Sequence, residues 1–398
     1  MNQQSALSGI KVLDFSRVLA GPYCSMLLAD FGADVIKIES QDGDDTRQWG
    51  PPFLDGESAY YLSVNRNKRS ISIDLKNKLG AEIGLQLAGK ADILIENFKV
   101  GGMKKFGLDY DHVVQVNPKI IFCSITGYGQ NGPRSEQTGY DFIIQAQAGI
   151  MSITGPVDGT PTKTGVAIVD VTAGMFANQA ILAALYHRQV TGIGQYIDIS
   201  LFDSQLGWLV NTAENYLVSG NAPKRYGNAH PNIVPYETFQ TLDGHIALAV
   251  GNDRQFKLFC MQIGRADLAE SELYKTNPLR VANRNSLIEE IQFEFMKKKT
   301  NVWLTAFSGI DVPIGSINDI PSALLDPQSH ARDMVQYVSR KDGQKVPQIG
   351  PVAKLHATPS KIFSAPPKLG EHTREILELD LGYSTREIQM LIDQKVVF

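Results

Sequence analysis

Within the first 130 residues, five short runs rich in Ile, Val and Phe are spaced by stretches of helical periodicity. That alternation restricts the chain to a narrow set of folds. The strand candidates are IKVLDF (10–15), DVIKIE (34–39), SISIDL (70–75), DILIENF (92–98) and KIIFCSITGYG (119–129). Pro22–Phe31 and Leu79–Lys90 carry apolar residues about a turn apart and read as helices. Strands joined by helical crossovers of this length form a parallel sheet covered by helices. The expected fold class is α/β, with a doubly wound parallel-sheet layer. The first strand leads into SRVLAGP (16–22) rather than G-x-G-x-x-G. Binding of NAD or FAD therefore has no support.

At 398 residues the chain has room for about two domains. Asp170 opens a helical run to about His187, GQYIDIS (194–200) is a further strand, and Leu201–Val218 reads as helix. Residues 221–236, NAPKRYGNAHPNIVPY, are dense in Pro, Asn and Gly and mark a domain boundary. Beyond it, HIALAV (245–250), Asp253–Ile263, Asn285–Phe307 and VPIGSIN (312–318) suggest a smaller α/β unit. The tail from about Pro327 holds a β-like section and two short helices, Thr373–Leu379 and Ser384–Gln394.

A net charge of -4 provides no broad basic field, so nucleic acid is not an expected partner. Cys24, Cys123 and Cys260 lie far apart and form no C-x-x-C pair, which argues against a disulfide framework or zinc site. No apolar run approaches the ~18 residues of a membrane span, and MNQQSALSG has no signal-peptide character. A soluble, cytoplasmic protein with no membrane partner is expected. H-E-x-x-H, G-x-S-x-G and Walker sequences are absent, so no metal site is expected.

Two segments carry possible chemistry. Asp170 places one carboxylate within GVAIVDVTAGMFA (165–177), otherwise small and apolar. It reads first as a helix N-cap, a reading that leaves open a carboxylate nucleophile at a helix N-terminus, whose amides at Val171–Thr172 would stabilise an oxyanion. In ENFKVGGMKKFGLDY (96–110), Lys99, Lys104 and Lys105 surround a Gly pair. That pattern fits a solvated turn or a phosphate contact. His230, in the boundary loop, is the one histidine that stands out.

Taken together, LAGP (19–22), GADVIKIE (32–39), NRNKRSI (65–71), ENF (96–98), GYGQNGP (127–133), the Asp170 segment and LGEHTREIL (369–377) resemble the class III coenzyme A transferases in order and spacing. The resemblance runs from about Gly9 to Val397. DDTRQWGPPF (44–53), GIMSITGP (149–156), KRYGNAHPNIVPYETF (224–239) and YKTNPLRVANR (274–284) resemble the branch that acts on succinyl-CoA and on glutarate or hydroxymethylglutarate.

The resemblance implies a Rossmann-like large domain built from both chain ends (1–224 and 323–398), a small inserted domain (225–322), and a homodimer of interlocked rings. It implies CoA thioesters as substrates, carboxylic acids as partners and no tightly bound cofactor. By position, Asp170 matches the family's catalytic aspartate. Leu19 and Ala20 match contacts to the thioester arm, and Ile73, Asn97, Phe98 and Lys105 match contacts to adenine and phosphates. Ser40 and Thr138 stand where some relatives carry a cation, so Lys99 or Arg134 is expected to share the phosphates. Leu19 replaces a glutamine of the formyl-CoA transferases, which weakens a formyl-CoA or oxalate assignment. Tyr140 stands where a 2-methylacyl-CoA racemase would carry its histidine, and a phenol of pKa ~10 is a poor acid–base partner at neutral pH. Tyr140, Arg225 and His230 are the candidate contacts to the acid substrate.

Overall fold

Val12 and Leu13 are neighbours in the first apolar run, yet they enter different cores, because successive side chains of a strand point to opposite faces. The computed structural model describes residues 5–398. Six strands form one sheet: β1 (Lys11–Asp14), β2 (Asp34–Glu39), β3 (Lys68–Ser72), β4 (Ile93–Glu96), β5 (Ile121–Thr126) and β6 (Gln195–Ser200). Every pairing is parallel, in the order β3-β2-β1-β4-β5-β6. This is the doubly wound arrangement, so the parallel α/β expectation holds.

Leu13, Ile36, Ile71, Leu94 and Phe122 build one face with Ile83 and Leu87 of α2 (Lys78–Lys90). Val12, Val35, Ile93 and Ile121 build the other with Leu28 of α1 (Ala20–Asp30) and Ala177 and Ile181 of α5 (Ile168–Thr191). In chain order α2 is followed by α3 (Tyr110–Val116), which adds Val113 to the first face, and α4 (Asp141–Gln147), which adds Ile144 to the second. Burial on both faces explains why β1, β2, β4 and β5 carry apolar residues on both sides rather than alternating.

Several local expectations change. α5 has 24 residues and is long and apolar enough to cross a membrane, contrary to the reading that no run comes close. Here Val169, Ala173, Ala177, Ile181 and Ala184 bury one side of it in the sheet core. The single helix expected over Leu201–Val218 is two, α6 (Leu201–Trp208) and α7 (Val210–Ser219). Val210 takes φ +41°, which a right-handed helix does not accommodate.

The chain divides into two compact units. The first holds the residues up to Ile150, Thr164–Gly220 and Pro327–Phe398; the second holds Met151–Lys163 and Asn221–Asp326. Within the first, the C-terminus covers the sheet's edge: Val397 bridges Ile73, and the Phe398 N–H donates to Ser72 O at 3.1 Å. An edge strand's open hydrogen-bonding groups are thereby satisfied. The second unit has an antiparallel sheet of Tyr236–Gln240, His245–Ala249 and Ile314–Ser316. Its core includes Phe239, Phe256, Phe259, Phe295 and Trp303.

Candidate active site

In a doubly wound sheet the chain leaves neighbouring strands β1 and β4 toward opposite sides, opening a crevice at their carboxyl ends. A cleft of about 400 Å³ occupies that position in the first unit. Leu19 and Ala20 line it from the segment after β1, and Asn97, Phe98, Lys99 and Lys105 from the segment after β4. Thr138, Tyr140 and Asp170 complete the wall.

The two segments are tied together by backbone recognition. Asn97 Oδ1 accepts the Arg17 N–H at 2.9 Å, and its Nδ2 donates to Arg17 O at 2.7 Å. Val18, next in line, is held at φ +70°, a conformation costly for a β-branched residue. Its N–H donates to Asp44, whose carboxylate also accepts from Thr46 N and from the fully buried Lys37 Nζ at 2.9 Å. Burial acts to raise the Asp44 carboxyl, but Lys37 and the Thr46 donors outweigh it and bring it down to about 2. Behind the turn, a Cβ at Gly174 of α5 would lie 2.6 Å from Ala20 O. Glycine there lets α1 and α5 approach closely enough for both N-termini to border one cleft.

Asp170 is the third residue of α5, and the N-cap position belongs to Ala167. The N-cap reading is therefore overturned. The helix is capped from elsewhere: Asp141 Oδ1 accepts the Val169 N–H at 2.8 Å and the Asp170 N–H at 3.4 Å. Asp141 Oδ2 accepts from Gln145 Nε2 at 2.6 Å, which orients the carboxylate. Among the described residues no donor meets the carboxylate of Asp170. Burial first, and the charge of Asp141 second, push it up to about 7. Tyr60 stands near enough to feel it: burial, Asp170 and Asp141 lift its phenol to about 12. The ring of Trp49 meets Tyr60 edge-on at 5.3 Å.

The expected oxyanion donors at Val171–Thr172 are also overturned. The Val171 N–H is spent on Ala167 O at 3.1 Å, and Thr172 lies within the helical ladder. Helix α1 is different. No side chain caps it, Pro22 in its first turn has no N–H, and Ala20 lies in the cleft wall.

Ile73 lines an adjoining cleft of about 270 Å³ that shares Arg17, Phe98 and Phe106 with the first. Arg134 is not in the cleft wall. Its guanidinium donates to Gln147 Oε1 at 3.1 Å and lies over Tyr128. In the second unit, Arg225 donates to the carbonyls of Pro156, Ser152 and Gly159, so its donors serve that unit's own loop. His230 Nδ1 accepts the Asn232 N–H at 3.0 Å, and burial and Arg284 lower its pKa, which leaves a neutral ring rather than a cation. Among the described residues no cluster of three His, Cys, Asp or Glu side chains could hold a metal. Arg17, Tyr60 and Asp141 were not legible as site residues. Only the position of Asp141 beside Tyr140 hinted at its part.

The sequence profile described as CoA-transferase family III matches residues 7–373. The succinate–glutarate CoA-transferase of Agrobacterium fabrum is 46% identical over 383 residues, covering 94% of this chain and 96% of that protein. The succinyl-CoA:glutarate CoA-transferase of Homo sapiens is 42% identical, covering 100% of this chain and 91% of that protein. Among solved structures, a CAIB/BAIF family protein from Brucella suis superposes with a TM-score of 0.84 at 45% identity, covering 94% of this chain and 99% of that one.

Proposed function

The chain belongs to CoA-transferase family III, and from that premise we propose that it moves CoA from succinyl-CoA to glutarate or a similar dicarboxylate, with Asp170 as the nucleophile. The names of the relatives support the donor and the acceptor. The observation that carries the reading is the Asp170 carboxylate itself: unpartnered, lifted to about 7, and on the wall of the cleft at the switch point of the sheet. A carboxylate serving only structure would be held by donors, as Asp44 is.

In the proposed reaction, the Asp170 carboxylate attacks the thioester carbonyl of succinyl-CoA. The tetrahedral intermediate expels CoA thiolate and leaves a mixed succinyl–aspartyl anhydride. A thiol of pKa ~8.5 is a good enough leaving group to go without a metal. Thiolate then attacks the aspartyl carbonyl, releasing succinate and leaving an aspartyl-CoA thioester. The glutarate carboxylate attacks that thioester, thiolate departs, and its return to the glutaryl carbonyl of the new anhydride yields glutaryl-CoA and free Asp170. One thioester is exchanged for another and no phosphate donor is needed.

Each tetrahedral oxyanion needs a donor, and the uncapped first turn of α1 at Ala20 is a candidate in the cleft wall. The adjoining clefts sharing Phe98 form a path for an extended CoA, with Lys99 and Lys105 for its phosphates and Ile73 beside the adenine. Tyr140 would contact the acyl group.

A homodimer in the cytoplasm completes the proposal. Its support is the exposed apolar surface of α5 and α7, where Met175, Tyr186, Leu217 and Val218 are each more than half exposed. Three free buried cysteines suit a reducing compartment.

The test is to incubate the protein with succinyl-CoA and glutarate and to follow glutaryl-CoA by mass spectrometry. Wild type should form it and Asp170→Ala should not. An undiminished rate in the variant would remove Asp170 from the mechanism.

A further inference from the structure

A second carboxyl stands at the carboxyl end of the sheet, and nothing proposed above uses it. Glu96 ends β4, with its side chain on the face of Leu94, and is only 5% exposed. In register with it lie Ser124 on β5 and, one strand further, Asp198 on β6. Glu96 and Ser124 border a cavity of about 370 Å³ distinct from the Asp170 cleft. Lys99 and Gly102 line both, so the segment that follows β4 is the wall between them.

That segment hangs from Glu96. The carboxylate Oε2 accepts the Phe98 N–H at 2.8 Å, closing a tight turn around Asn97. With the turn closed, Asn97 pairs with both backbone groups of Arg17, and the Phe98 ring lines both the Asp170 cleft and the Ile73 cleft. We infer that Glu96 is a positioning residue for CoA binding: as a carboxylate it holds Asn97 and Phe98 in place for CoA, and on protonation it loosens that hold and weakens the affinity. This inference rests on the reading of the adjoining clefts as the CoA site.

The charge state matters because a carboxylate acceptor makes a markedly stronger hydrogen bond than the neutral acid. Burial, with the charge of Asp198 adding to it, lifts the Glu96 carboxyl to about 7 despite the donors from Ser124 and Phe98. Facing it are Asp198 and Tyr196 on β6, and Lys99, Lys104, Asp109, Tyr110 and Asp111 from the segment crossing above, while Cys123 of β5 lies close by on the opposite face of the sheet. Burial pushes both the Tyr196 phenol and the Cys123 thiol up, so neither ionises near neutral pH.

The experiment is calorimetric titration of CoA into wild type and Glu96→Gln between pH 6 and pH 8. At pH 8 the variant should bind about fivefold more weakly, the difference between a charge-assisted and a neutral hydrogen bond. At pH 6 the two should converge. The titration of CoA's own 3′-phosphate is common to both proteins and cancels in their ratio. Ser124→Ala, which removes a donor to the anion, should move the midpoint of the wild-type curve to higher pH. A ratio constant across pH would overturn the inference, because a merely structural loss carries no pH dependence. An unmoved midpoint in Ser124→Ala would do the same and does not depend on Glu96→Gln folding. Wild type that binds no CoA at any pH would overturn the assignment of the clefts and this inference together, whereas tight binding with parallel curves would overturn this inference alone.

Discussion

Replacing Asp170 by Asn should abolish transfer and at the same time make the protein more stable. The carboxyl rises from an ordinary value of 3.8 to about 7 in the folded chain, through burial first and Asp141 second. A folded-state pKa above the unfolded one means that the native state holds the proton more tightly, so ionisation penalises folding. The penalty is absent below about pH 4, grows from there to about pH 7, and is constant above. Three units at ~1.36 kcal/mol each set a ceiling of about 4 kcal/mol. The carboxylate is partly open to the cleft, so solvent screening brings this to about 2 kcal/mol. For a unit of this size that corresponds to ~4 °C in thermal midpoint. Differential scanning fluorimetry of wild type and Asp170→Asn at pH 8 and pH 4 reads it directly: the variant should melt higher at pH 8, and the two should coincide at pH 4. A variant less stable at pH 8 would refute the reasoning. It would mean that Asp170 serves α5 as an ordinary first-turn acid, favourable to the helix dipole by about 0.3–1 kcal/mol.

In steady-state kinetics, the proposed attack by ionised Asp170 requires kcat/KM to fall about tenfold per pH unit below a midpoint near 7 and to be flat above it. Asp141→Asn should move that midpoint down, and an unchanged midpoint would remove Asp141 as a cause. Gly174→Ala drives a methyl to 2.6 Å from Ala20 O, so it should cost about 1–3 kcal/mol in urea denaturation and displace the α1 donor, lowering kcat. Lys37→Met leaves Asp44 buried without its cation and should destabilise by about 3–5 kcal/mol in the same assay. Arg225→Ala removes the clamp on the Pro156, Ser152 and Gly159 carbonyls. It should lower stability while changing KM for dicarboxylates and monocarboxylates alike; a selective rise for dicarboxylates would restore Arg225 as a substrate contact.

Charged residues inside strands mark where local reading fails. The third strand was expected over Ser70–Leu75 but occupies Lys68–Ser72. Lys68 reads as a solvated flank until its partners are known. Its Nζ meets Asp14 Oδ2 at 3.2 Å and Asn65 Oδ1 at 2.9 Å, and the former is 54 positions away. A buried ion pair becomes tolerable only when such partners converge, and no local window of the sequence brings Asp14 to Lys68. The same holds for the capping of α5. The local candidate was Asp170, but the acceptor is Asp141, 29 positions earlier, and that substitution of one acid for another removes the cap reading of Asp170.

The sequence by itself determined the parallel sheet, because a strand buried on both faces carries apolar residues on both sides and its crossovers are helical, and both patterns are local. Order and spacing of short motifs also pointed to the family and to Asp170. What tertiary structure alone decided is the state of that carboxylate. Its lack of donors, the neighbouring charge of Asp141 and the uncapped turn of α1 come from three separated segments brought to one crevice. Hydrogen bonding and electrostatics depend on distances between such segments, and distances are what the order of residues leaves open.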